Sequence, residues 1–312
     1  MSVALCLPLL AGLALFLGAR PLADRIPPAT AAVLLTAAML VTALATGFAL
    51  SVLALFVLGQ VPLVARLGHW SAEVVGRGLP VPAAVGLLAG TVVCVLLTAA
   101  VRRATLAGHD LVRAALACRR FGPAAAGLVV VDDELPDAYA LPGLGGRVVV
   151  STAMLRALPP AERRVLLAHE SAHLAHRHHV YVQLAGLAAA ADPLLRPAER
   201  AVRAAVERWA DEVAAAEVGD RELAARALAR AGLARAAARR TWAPAGPALA
   251  ATDVAVAARA RALLAGPPPR RRVLAGALAA LVLAVSAVAL VIGVDTQHWF
   301  EAVEHAYYQA SR

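Results

Sequence analysis

The sequence has no lysine, and all thirty of its basic residues are arginine. Charge of either sign is scarce: charged residues make up 16% of the chain, where a soluble globular domain carries roughly 25%. Aromatic residues reach only 4%. The arginines therefore have no interleaved stacking platform, and the net charge of +9 is not read as a nucleic-acid footprint. Cysteine is rare as well. Cys6, Cys94 and Cys118 are odd in number, and the first two sit inside apolar runs as small hydrophobes. A disulfide framework and a cysteine-based metal site are both excluded.

What is present is apolar: 61% of residues are hydrophobic and the mean hydropathy is +0.70. Four stretches reach the roughly 20 residues that a helix needs to cross the hydrocarbon: Val3 to Ala19, Ala29 to Gly59, Val81 to Val101 and Val273 to Val294. The first has no basic residue ahead of its apolar core and is interrupted early by Pro8, so it reads as a span and not as a secretory signal. The second is long for one crossing, which predicts tilt, a kink near Gly47 or extension past the bilayer. The expected fold is an α-helical membrane protein of four spans with an α+β, mainly helical domain attached.

The expected organisation is a three-span membrane domain (1–101), a domain long enough to bury its own core (102–241), a linker (242–272), a fourth transmembrane helix (273–294) and a short tail (295–312). Of the thirty arginines, 25 lie in residues 102–272 against 16 acids, and Arg102, Arg103 and Arg270 to Arg272 bracket the membrane. The positive-inside rule makes that region cytoplasmic. Three preceding spans then place the N-terminus outside, together with the acidic C-terminal tail.

Within 102–241, Gly127 to Asp132 and Gly146 to Ser151 are β-branched runs bounded by turn formers, hence strands. Ser151 can cap a short helix through Leu158, and Pro159-Pro160 breaks it before Ala161 opens the next. Pro193 and Pro197 interrupt the stretch after that second helix. A third helix runs to Gly219 and a fourth starts after Asp220. Tyr181 to Ala191 is apolar but too short to span, so it is expected to pack against the spans or at the interface.

The second helix carries His169-Glu170-Ser171-Ala172-His173. Residues four apart on a helix share a face, so both imidazoles can reach one Zn2+ at about 2.0–2.1 Å per bond. Glu170 directly follows the first ligand, where its carboxylate can serve as general base toward a water that zinc acidifies to a pKa of about 7. A catalytic site needs a third protein ligand. Glu207-Arg208-Trp209-Ala210-Asp211 offers two carboxylates one turn apart, one for the metal and one for an orienting hydrogen bond to a ligand histidine.

H-E-x-x-H followed by E-x-x-A-D resembles the gluzincin membrane peptidases: the HtpX-type quality-control proteases, the CAAX prenyl endopeptidases and the BlaR/MecR-type antirepressor metallopeptidases. The resemblance covers roughly residues 125–225 and implies one zinc per chain, with Glu207 as its third ligand and Asp211 behind it. It extends to Asp137-Ala138-Tyr139-Ala140-Leu141-Pro142-Gly143, similar to the family's N-A-x-A-L-P-G-G edge strand, so Tyr139, Ala140 and Leu141 are candidates for pairing with an extended substrate. Asp137 replaces the usual Asn, and Leu144 is inserted before the glycine pair.

His176, His178 and His179 form a second cluster, read as a polar rim above the site; His178 stands where the family commonly has an acid. Tyr139 and His176 are the nearest candidates for an oxyanion donor, and the expected topology puts His298 and His305 on the far side. The implied activity is zinc-dependent endopeptidase cleavage of a protein or peptide substrate beside the lipid bilayer. Three spans before the domain and one after resembles the antirepressor arrangement, which implies regulated cleavage of a cytoplasmic repressor; membrane-protein quality control is the other role the resemblance implies. The reading set against it is a catalytically silent signalling or scaffold protein that keeps the fold.

Overall fold

A computed structural model describes residues 2–68, 82–121, 127–143, 145–242, 247–267 and 271–310. Val81, at the start of the third expected span, and Leu144, the insertion beside the edge strand, lie outside the described residues. The elements in chain order are α1 (Ser2–Ala23), α2 (Pro28–Leu58), α3 (Pro62–Gly68), α4 (Ala83–Arg120), β1 (Leu128–Val131), β2 (Ala138–Leu141), β3 (Arg147–Ser151), α5 (Thr152–Ala157), α6 (Pro160–Ala175), α7 (His178–Ala191), a 3-10 turn (Pro193–Leu195), α8 (Arg196–Val218), α9 (Arg221–Trp242), α10 (Pro247–Leu264) and α11 (Arg272–Ala310). The molecule is mostly helical with one small sheet. Among the described residues four helices, α1, α2, α4 and α11, are long and apolar enough to cross a membrane.

Two of these helices run well beyond their apolar stretches. α4 continues through Arg102 and Arg103 to Arg120, and α11 passes Val294 and runs unbroken to Ala310. The sequence reading ended both at the apolar limit. Ala, Leu and Arg all favour the helix strongly, so nothing stops the backbone where hydropathy falls. In the second case Trp299 packs edge-on against Phe56 of α2 at 4.9 Å between ring centroids, which ties the extension to the C-terminal end of that helix.

The length of α2 has a different cause. It is one helix of 31 residues, opened by Pro28 in the first turn, where a missing N–H costs nothing. Its N-terminal half is protein core: Ala31, Ala32, Leu35, Ala38 and Met39 pack against Ala185, Ala188 and Ala189 of α7 and against Ala198, Ala201, Val202 and Ala205 of α8. Small side chains on all three helices allow close backbone approach. The turn between α7 and α8 reaches the middle of α1, where a Cβ on Gly12 would lie 3.5 Å from Asp192 Oδ2 and 3.6 Å from Leu194. The apolar segment Tyr181 to Ala191 thus packs on the spans, and one core joins the membrane helices to the helices that carry the site.

The sheet has the order β1-β3-β2, with β1 parallel and β2 antiparallel to β3. β2 is therefore an edge. Ser151 ends β3 and caps α5, its hydroxyl accepting from Met154 N and from Asp137 N. α6 begins at Pro160, one residue earlier than expected, because proline suits the first helical position. For the same reason Pro197 sits in the first turn of α8 and does not interrupt it. That helix ends on Gly219 in the left-handed conformation, φ 70°.

Candidate metal centre

α6 and α8 lie side by side and bring the two motifs together. On α6, His169 Nε2 and His173 Nε2 are 3.2 Å apart. On α8, Glu207 Oε2 lies 3.8 Å from the first of these nitrogens, and Oε1 lies 3.7 Å from the second. A tetrahedral ion with bonds of about 2.0–2.2 Å requires ligand atoms about 3.3–3.5 Å apart. The donor set, two imidazoles and one carboxylate, fits zinc in type, and the carboxylate stands a few tenths of an ångström outside that spacing.

Asp211, one turn past Glu207, is buried, and its Oδ1 stands 3.1 Å from His169 Nδ1. That bond sets the ring orientation and leaves Nε2 facing the ligand triangle. Burial by itself would raise the Asp211 carboxyl. Hydrogen bonds from Arg259 and then His169 overcome it and hold the group at about 2. His169 shows the converse: burial lowers its pKa, but Asp211 outweighs burial and raises it. Glu170 is 7% exposed and its carboxyl is raised, chiefly by burial. It lines the cavity without being one of the three converging ligand groups.

Arg259 is the residue that the sequence reading missed. It comes from α10, inside the stretch taken as a linker, and its guanidinium grips Asp211 twice, at 2.7 Å through Nε and 2.6 Å through Nη2. Nη1 meets Glu207 Oε2 at 2.7 Å, and Nη2 lies 3.5 Å from His169 Nε2. A signal was available. Val256, Arg259 and Leu263 recur at helical spacing, and all three line the cavity, so the arginine shares one helix face with two apolar residues.

The cavity holds about 490 Å³ and is bounded by α6, α7, α8, α9, α10 and β2. Asp137, Ala138, Tyr139, Ala140 and Pro142 line it; Leu141, the third of the expected edge residues, does not. Along β2 the backbone groups of Asp137, Tyr139 and Leu141 face β3, while those of Ala138 and Ala140 face the free side. At Ala138 that free side is already occupied, since its N–H donates to Asp137 Oδ1 and its carbonyl accepts from Arg235 Nη2 at 2.7 Å.

Of the second histidine cluster, His176 is exposed and His179 is half-buried, as a rim would be. His178 departs from that reading. It is buried, 1% exposed, with Nδ1 at 3.0 Å from His173 Nδ1.

Burial, and after it the neighbouring imidazole charge, pushes His173 down to about 3, and the same causes push His178 to about 3. Folded values below the unfolded one, about 6.5, mean that the unfolded chain takes up these protons first. The stability they carry is present above about pH 6.5 and is lost as pH falls toward 3. His169 works oppositely and offsets part of one of the two. Asp211 adds a separate loss between about pH 4 and 2. The melting temperature of the metal-free protein should fall steadily from pH 7 to pH 4; a flat profile would show that these rings are not held neutral.

The model of Peptidase family M48 matches residues 109–191. The match takes in the last part of α4, the sheet, the helix with His169, Glu170 and His173, and α7, and it supports a zincin metallopeptidase. It stops short of Glu207, Asp211 and Arg259, which the fold alone brings to the histidines. No curated protein and no solved structure matches the chain.

Proposed function

We propose that this chain is a multi-pass membrane endopeptidase that binds one zinc ion per chain and hydrolyses peptide bonds of a protein substrate at the cytoplasmic face. The observation that carries the reading is the convergence of His169, His173 and Glu207 at 3.2, 3.7 and 3.8 Å from two helices, with Glu207 lying 34 residues after His173 in sequence. Zinc, when bound there, supplies Lewis acidity toward a scissile carbonyl and a water. The chain's own part is to hold and move the proton. Glu170, with its pKa raised by burial, takes the proton from the attacking water and passes it to the leaving amine. Asp211 fixes His169, and the outward groups of Ala140 offer an extended substrate one backbone pairing site on the β2 edge.

The cytoplasmic placement rests on the arginines that bracket residues 102–272. Three apolar helices before the site and one after it favour regulated cleavage of a cytoplasmic repressor over membrane-protein quality control. One observation favours the silent alternative: the Arg259 guanidinium already occupies Glu207 Oε2, so a chain that never binds metal would still have a satisfied site. Metal content decides between them. Full-length protein purified in detergent should carry about one zinc per chain in the wild type and far less in Glu207→Ala. A folded wild type without zinc refutes the metallopeptidase reading.

A further inference from the structure

His173 faces the ligand triangle through Nε2, so its other nitrogen, Nδ1, points away from any metal. A neutral imidazole that offers its Nε2 lone pair must carry its proton on Nδ1. That N–H is directed at His178 Nδ1, 3.0 Å away, with the two rings nearly perpendicular at 89°. His178 Nδ1 is then the acceptor, and the His178 proton is on Nε2, a buried atom with no partner among the described residues.

We propose that His178 is a positioning residue of the metal centre: it fixes the tautomer and the ring plane of His173, as Asp211 does for His169. The inference rests on the metal-centre reading above.

The backbone supports this role. On an unbroken helix, a residue five positions on is turned about 140° from His173. The chain breaks the helix at His176 and places Arg177 at φ 50°, ψ 43°, a left-handed conformation that a side chain other than glycine adopts at a cost. α7 restarts at once with His178 turned back onto α6. Trp209 of α8, between Glu207 and Asp211, holds the His178 ring at 4.7 Å between centroids, and His176 stacks on it at 5.7 Å. The strained turn and the aromatic contacts serve one placement. With no acceptor there, the Nδ1 proton of His173 would be buried unpaired, and the competing tautomer would close Nε2 to the metal.

His178→Phe keeps ring volume and the contacts to Trp209 but removes the acceptor. His178→Asn puts an amide oxygen near the place of Nδ1. Full-length variants in detergent, titrated with zinc against a competing chelator, should show a Kd raised about 10- to 100-fold in His178→Phe and near the wild-type value in His178→Asn, at comparable melting temperatures. In the metal-free protein, imidazole ¹⁵N shifts should report His173 protonated on Nδ1 in the wild type and a mixture of tautomers in His178→Phe. An unchanged zinc Kd in His178→Phe overturns the proposal and leaves His178 as packing. Equal weakening in both variants, with matching losses of melting temperature, overturns it too. Failure of the underlying reading looks different: the wild type then binds no zinc at all.

Discussion

Replacing Glu170 by Gln is expected to lower kcat for peptide hydrolysis by about 10²- to 10⁴-fold, the range for loss of a general base, while leaving one zinc bound. The metal is held by His169, His173 and Glu207, and Glu170 is not among those converging groups. An amide of the same shape therefore disturbs neither the ligand triangle nor its support from Asp211 and His178. It removes only the capacity to take a proton. Glu170 suits that task because burial raises its carboxyl above the ordinary range, with His169 and Arg235 opposing the shift, and a base whose pKa lies nearer the working pH takes the proton of the attacking water more readily. The measurement is hydrolysis of casein or a quenched peptide library by the detergent-purified chain, with zinc content determined on the same samples. Zinc retained with full activity would remove Glu170 from the chemistry. Zinc lost with activity would make it part of the metal site.

The metal ligands were legible in the sequence because helical geometry converts a spacing of four into a shared face: His169 with His173, and Glu207 with Asp211, needed only to be recognised as lying on helices. Three features were not legible. The inner half of α2 is as apolar as a span, yet it faces Ala185, Ala189, Ala201 and Val202 and not lipid; hydropathy measures the wish to leave water and not what replaces it. His178 was taken for a rim residue because a left-handed turn at an arginine has no sequence signature. Arg259 lies ninety positions from His169, and the helical spacing of Val256, Arg259 and Leu263 says nothing of that partner, in a stretch whose prolines and glycines read as linker. The edge strand was visible only through family resemblance, which does not separate Tyr139 and Ala140, which line the cavity, from Leu141, which does not.

Arg259→Ala is expected to destabilise the metal-free fold by about 3–5 kcal/mol, the usual consequence of removing one partner of a buried ion pair. Asp211 is 5% exposed at the side chain and Arg259 17%, so neither recovers much hydration alone. The pair is bidentate, and the same guanidinium also neutralises Glu207. Without it, two carboxylates face each other across His169. Arg259→Lys should recover only part of the loss, because an ammonium has no planar fork to span Asp211 and Glu207 together. Asp211→Asn in the Arg259→Ala background should cost less than the sum of the single changes, since the orphan charge is then gone. Chemical unfolding of the full chain, with and without zinc, tests each step. Zinc should narrow the gap between Arg259→Ala and wild type, because the ion takes over the charge that Arg259 balances at Glu207. A loss below about 1 kcal/mol for Arg259→Ala would mean that Asp211 is not sustained by this contact. A loss of the expected size would establish that α10, seven residues from the start of α11, holds the residue that orients His169.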